Sequence, residues 1–200
     1  MAAYDAGPKP KKLNRTGNTT VNLPNLISLG RLLSVPVAVY LILNGFMTAA
    51  FWLFVAAGIS DGVDGYLAKT LGLSSTLGAY LDPIADKALL VGVYVTLGQA
   101  GQLPNWLVIM VVFRDIIIVG GIILLHISTN VVRMRPLMIS KINTAAQIAL
   151  IALVLAELGL GFDVGGFLNF LIYVVAATTI VSGASYIINW GRTVEPIEDN

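Results

Sequence analysis

Between residue 23 and residue 190 the chain runs through six apolar stretches, each close to the roughly 20 residues that a helix needs to cross a bilayer. They lie near 23–43, 47–69, 77–100, 104–127, 138–159 and 166–190, and helix-breaking sequence divides them: Asn44-Gly45, Leu71 to Ser75, Gly101 to Pro104, Ser128 to Pro136, and Gly159 to Gly166. Backbone groups in hydrocarbon have no water to bond, so stretches of this length are expected as helices. The expected fold is all-α: an integral-membrane bundle of six transmembrane helices over residues 21–192. A short N-terminal cytoplasmic arm over 1–20 precedes it, and a tail over 193–200 follows.

Charge sorts with this layout. Only 12% of residues are charged, and the basic ones fall on one side of the expected spans. Lys9, Lys11, Lys12 and Arg15 lie in the arm; Lys69, Arg133, Arg135, Lys141 and Arg192 lie at the second and fourth connections or near the C-terminus. The first, third and fifth connections carry none. Both termini are therefore expected on the cytoplasmic side. A net charge of +1 implies no field for nucleic acid, and the absence of cysteine removes any disulfide framework. The first 20 residues lack the apolar core and cleavage pattern of a secretory signal.

Four acids break the apolar pattern. Asp61, Asp64, Asp82 and Asp86 fall within the second and third stretches, with Lys69 and Lys87 close by. Uncompensated at the centre of a bilayer, four carboxylates would cost on the order of 10–14 kcal/mol. Their spacings of three and four put each pair on one helical face. Two such faces packed together concentrate like charge, and a bound divalent cation reverses the sign of that interaction. Oxygen-only ligation points to Mg²⁺ or Mn²⁺, with open positions left for phosphate oxygens.

The intervening residues suit a phosphate ligand. Gly62 and Gly65 leave the backbone open beside the acids. Lys69 offers positive charge, Ser74, Ser75 and Thr76 offer hydroxyl donors, and Gly78 shares a helical face with Asp82. The expected site is a pair of metal ions serving phosphoryl-type transfer.

The pattern D-x2-D-G-x2-A-K-x8-G-x3-D-x3-D, from Asp61 to Asp86, resembles the signature of the CDP-alcohol phosphotransferase family of integral membrane enzymes. Asp61, Asp64, Gly65, Ala68, Gly78, Asp82 and Asp86 hold the family's acids, glycines and alanine at its spacing. Lys69 stands where the family usually has Arg, which keeps the charge and loses the bidentate fork. The resemblance extends to 22-NLPNLISLGRLLSVPV-37, 113-FRDIIIVGG-121 and 139-ISKINTAAQ-147. Arg114-Asp115, in place of Arg-Glu, favours the CMP-forming cardiolipin synthases over the phosphatidylglycerophosphate synthases.

What the resemblance implies can be stated residue by residue. Asp61, Asp64 and Asp82 would ligate metal, while Asp86 would touch the second metal and accept the proton of the attacking hydroxyl. CDP-diacylglycerol would be the donor, with Asn25, Ser28, Gly65, Ala68, Lys69, Ser75 and Gly78 near it. Phosphatidylglycerol would be the acceptor, giving cardiolipin, or glycerol 3-phosphate in its place. A homodimer is implied too; its contact is expected through spans three and four, and its place is expected to be a bacterial inner membrane.

The remaining charges admit two readings. Arg31 and Arg114 suit acceptor or donor phosphate, but intramembrane charges also pair with one another. Arg133, Arg135 and Lys141 cluster where the fifth span begins, as acceptor contacts or as a cytoplasmic basic loop. Lys87 is expected chiefly as a structural counter-charge, and Trp52, Trp106 and Trp190 as interfacial anchors. The rival from another class is a divalent cation transporter, since carboxylates also line ion paths. A cation path has no use for Gly65, Ala68 and Gly78 at fixed offsets.

Overall fold

The computed structural model describes residues 23–71, 78–128 and 138–193, with side chains described over 28–63, at 85, and over 87–120 and 138–188. The expected arm over 1–20 and the tail beyond 193 lie outside these residues. Among the described residues there are six helices and no strand: α1 Leu23–Leu43, α2 Met47–Leu71, α3 Gly78–Gln99, α4 Asn105–Ser128, α5 Met138–Leu160 and α6 Gly166–Thr193. Each end lies within three residues of the stretch read from sequence. Helix α5 and the Gly166–Ile188 part of α6 are long and apolar enough to cross a membrane.

The three described connections are short, so consecutive helices fold back on one another. α1 and α3 end in the same way. After α1 the Gly45 amide bonds the Ile42 carbonyl and the Phe46 amide bonds that of Leu41; after α3 the Gly101 amide bonds Gly98 and the Gln102 amide bonds Leu97. This cap needs a left-handed residue at its centre, and Gly45 (φ 77°) and Gly101 (φ 73°) supply it without a Cβ clash. Both turns lie at the same end of the bundle.

Helix contacts close into a ring in the order α1, α2, α5, α6, α4, α3, with α3 also touching α5 across the middle. Tyr94, Leu97, Leu107, Leu150, Ile151 and Leu155 fill that middle, all fully buried. Close approach depends on small residues, as expected where helices associate by packing alone. Gly92 sits under Val35, where an added Cβ would lie 3.0 Å from Cγ1, and Gly98 lies under Val108. Among the described glycines the closest approach is between α2 and α5. Thr48 Oγ1 donates to the Gly159 carbonyl at 2.5 Å, and a Cβ on Gly159 would come within 2.7 Å of the Thr48 backbone nitrogen.

The outer surface is apolar. Leu33, Ile59, Ile109, Phe113 and Ile116 are each more than 60% exposed, an arrangement suited to lipid and costly in water. Trp52 and Trp106 are exposed near the end that carries the short turns, and Trp106 stacks on Tyr173 at 6.3 Å. That is where interfacial anchors belong.

Candidate active site

The described buried charge lies away from the short turns, with Arg31 in the far half of α1 and Arg114 and Asp115 near the middle of α4. α1 packs along α2 there, and its Arg31 Nη1 meets Asp61 Oδ1 at 2.8 Å. The Arg31 side chain is 3% exposed and that of Asp61 50%, so the guanidinium is locked inside while the carboxylate faces outward. Ser28, one turn before Arg31, is completely buried. Asp64 follows three residues later in the same unbroken helix, and α3 carries Asp82 and Asp86 in its first turns.

A cavity of about 390 Å³ begins at this ion pair. Arg31, Asp61 and Thr144 stand at its head, and the Thr144 hydroxyl donates back to the Ser140 carbonyl at 3.1 Å. Below them the walls are apolar: Phe54, Val55 and Gly58 on α2, Leu89 and Leu90 on α3, Ile148 and Ala152 on α5. The same two helices that touch backbone to backbone at Thr48 and Gly159 are parted here. A Cβ added at Gly58 would meet nothing within 4 Å.

A second polar centre ties the other side of the ring. Lys87 Nζ on α3 pairs with Asp115 Oδ2 on α4 at 2.7 Å, and Asp115 Oδ1 takes Arg114 Nη1 at 2.6 Å. Arg114 also donates through Nη2 to Ser140 Oγ on α5 at 2.7 Å and to Ser182 Oγ on α6 at 2.6 Å. Arg114 and Asp115 are each 4% exposed. Four helices thus meet on one buried network in which every charge has a partner, the arrangement that makes buried charge tolerable. Nearby, Asn143 Oδ1 accepts from Thr178 and Thr179 at 2.8 and 3.0 Å, joining α5 to α6.

Arg31 therefore lies against the first acid of the motif, and Lys87 has the counter-charge role expected of it. Arg114 is ion-paired, but with Asp115 of its own helix and not across helices as expected; its contacts to other helices are the hydroxyls of Ser140 and Ser182. Lys141 is exposed at the start of α5. The side chains of Asn25, Asp64, Gly65, Ala68, Lys69, Gly78, Asp82 and Asp86, and the whole of Ser75, Arg133 and Arg135, lie outside the described residues. Among the described side chains no three acids or histidines gather.

Sequence reading missed Gly58, Thr144 and Ile148 as cavity residues. One signal was present for the first: Gly58 and Gly62 are four apart and leave one stripe of α2 bare beside Asp61. Thr144 and Ile148 are also four apart, but nothing in α5 alone says which helix that face meets.

Comparison with known proteins supplies the family. The model of the CDP-alcohol phosphatidyltransferase family matches residues 21–183. A chloroplastic CDP-diacylglycerol–glycerol-3-phosphate 3-phosphatidyltransferase of Oryza sativa subsp. japonica is 35% identical over 88% of this chain and 59% of its own. The CMP-forming cardiolipin synthase of Homo sapiens is 32% identical over 88% of this chain and 64% of its own. The chain thus spans about three fifths of those two relatives. The CDP-diacylglycerol–glycerol-3-phosphate 3-phosphatidyltransferase of Bacillus subtilis (strain 168) is 33% identical, over 84% of this chain and 95% of its own. With a family model spanning most of its length and one relative covered over 95% of its own length, the chain belongs to the CDP-alcohol phosphatidyltransferase family.

Proposed function

We propose that this chain transfers the phosphatidyl group of CDP-diacylglycerol to an alcohol in the membrane, releasing CMP, and that phosphatidylglycerol is the alcohol, giving cardiolipin. The observation that carries the reading is the Arg31–Asp61 pair, which sets a buried cation against the first acid of the family motif at 2.8 Å. The six helices would all span, with both termini and the acids toward the cytoplasm of a bacterial inner membrane and two copies associating through α3 and α4. The one-sided placement of basic residues supports that orientation.

The donor set fits Mg²⁺ or Mn²⁺. Asp61 presents a half-exposed hard oxygen ligand at the head of the cavity, and Asp64 follows it in the same helix. Asp61, Asp64, Asp82 and Asp86 would hold two such ions, which supply charge neutralisation for the diphosphate and the leaving CMP. Asp86 would take the proton of the acceptor hydroxyl, a role that requires hydrogen-bond reach of it. The hydroxyl oxygen bonds the phosphorus that carries diacylglycerol, and the bond from that phosphorus to the CMP oxygen breaks. CMP leaves with the electron pair, and Lys69 balances its charge. Asn25, Ser28, Gly65, Ala68, Ser75 and Gly78 would border the nucleotide and diphosphate, as the family resemblance implies. The buried Arg114–Asp115–Lys87 network holds α3 in register with α4, α5 and α6.

A second reading, with glycerol 3-phosphate as acceptor, draws support from the rice and Bacillus subtilis relatives, whose names specify that substrate. Exposed Lys141, with Arg133 and Arg135, would then bind the acceptor phosphate. Purified protein in vesicles with CDP-diacylglycerol, Mn²⁺ or Mg²⁺, and either phosphatidylglycerol or glycerol 3-phosphate tests both. CMP release with phosphatidylglycerol alone is the expected result. Divalent flux without CMP release would replace the enzyme by a cation transporter.

A further inference from the structure

We infer that the core of the bundle binds water, at a site that the side chains of Gln147 and Asn143 on α5 form beside Tyr94 on α3. All three residues are completely buried. Among the described residues the Gln147 amide nevertheless has no hydrogen-bond partner at either Nε2 or Oε1, and Asn143 has none at Nδ2. A buried amide that bonds nothing carries its full desolvation cost, and nearly all such groups in folded proteins have a partner in protein or in ordered water.

The sequence of α5 puts the two amides one turn apart and away from the cavity. Asn143 and Gln147 are four residues apart, as are Thr144 and Ile148, so two stripes run side by side. The second lines the cavity and the first is buried in the core. The core stripe starts at Ser140, whose hydroxyl takes Arg114 Nη2 from α4 at 2.7 Å. One turn on, Asn143 Oδ1 is taken by Thr178 and Thr179 of α6, at 2.8 and 3.0 Å. One turn further, the Tyr94 hydroxyl of α3 donates to the Gln147 main-chain carbonyl at 3.3 Å and leaves the side chain unbonded. The polar stripe thus runs one turn past its protein partners.

The unbonded atoms select the occupant. Gln147 offers the donors of Nε2 and the lone pairs of Oε1, and Asn143 the donors of Nδ2, so the ligand must accept and donate at once. Water does both, and takes about two to four such bonds when buried. A cation would face N–H donors and one unbonded side-chain oxygen, where hard divalent ions take about six oxygens. An anion would add uncompensated charge, since Arg114 is already paired with Asp115. Side chains one turn apart have Cβ atoms about 5–6 Å from each other, and two hydrogen bonds through one oxygen span about the same distance. Lys87, at the outer edge of the Arg114 network, has a side chain 26% exposed. From it a line of polar groups, through Asp115, Arg114, Ser140 and Asn143, leads inward to Gln147 and gives water a way in. Bound there, water joins α5 to α3, the helix that carries Asp82 and Asp86.

Millisecond X-ray radiolysis of the full chain in detergent tests the site, because hydroxyl radicals form from water in place and add oxygen to side chains beside it. Tyr94 is expected to be oxidised although it is completely buried. After brief mixing with heavy-oxygen water it is expected to take up the isotope more slowly than Tyr173, which is 68% exposed. Gln147→Met keeps the length of the side chain and removes the amide. In this variant oxidation of Tyr94 is expected to be lost while that of Tyr173 holds. Its Tm is expected to fall by about 2–4 °C, the effect of losing one net hydrogen bond in a chain of this size. Wild-type Tyr94 that stays unlabelled overturns the site by showing a dry core. Labelling that exchanges as fast as at Tyr173 overturns it by showing an opening to bulk solvent. A higher Tm in Gln147→Met also overturns it, since removing an amide that bonded nothing stabilises the fold. The wild-type measurements require no variant to fold, and none of these readouts depends on CMP release.

Discussion

The two ends of this bundle solve different problems with the same six helices. At the end with the short turns, helices approach until backbone touches backbone, as at Thr48 and Gly159, and the side chains between them are apolar. Toward the other end α2 and α5 are parted by a cavity, and charge is buried as Arg31–Asp61 there and as Lys87–Asp115–Arg114 at mid-bundle. Packing holds the first end, and polar contacts hold the second. In a bilayer apolar helices gain nothing by leaving lipid for one another, so close packing requires small residues, and a functional cleft requires charges that pay for their own burial.

The largest effect is expected at Asp115. Asp115→Asn leaves Arg114 and Lys87 without their shared anion, and removing one member of a buried ion pair costs about 3–5 kcal/mol. Unfolding in detergent measures it. Replacing Lys87, Asp115 and Arg114 together by apolar residues of similar size is expected to cost far less; an equal loss would show that the network stabilises by more than mutual compensation.

Asp61→Asn separates function from stability. CMP release is expected to fall at least about a hundredfold, since even groups that only support a metal ligand are worth about 10–100-fold. Its carboxylate is 50% exposed, so the stability lost is expected to be smaller than for Asp115→Asn. A larger loss of stability would make Asp61 a structural anchor first.

At the packed end Gly159→Val forces a Cβ into the Thr48 backbone, with an expected cost of about 1–3 kcal/mol measured by unfolding in detergent. Tyr94→Phe is expected to have the smallest effect. It removes a 3.3 Å hydrogen bond to the Gln147 carbonyl, and such contacts between membrane helices average about 0.6 kcal/mol.

Much of the helix plan was legible in the chain itself, because apolar length and turn residues are local. Asn44-Gly45 and Gly101 mark their turns by conformational need, and the observed caps are the ones those residues favour. The motif acids were legible for a different reason: a carboxylate in an apolar run is costly enough to demand an explanation. The partners of buried charges were not. Arg114 equally suited a phosphate and an ion pair, and only the meeting of α4 with α5 and α6 brings Ser140 and Ser182 to its guanidinium.

Sequence alone determined that this chain forms apolar helices, where they begin and end, and which acids any account of its chemistry must include. Those properties depend on residues near one another in the chain. The tertiary structure decided the ring order, the seam at Gly159, the gap at Gly58 and the choice of Asp61 as the partner of Arg31. Each of these depends on which face of one helix meets which face of another. An apolar helix in lipid has no wet side to fix its rotation, so that choice is made by packing between helices far apart in sequence.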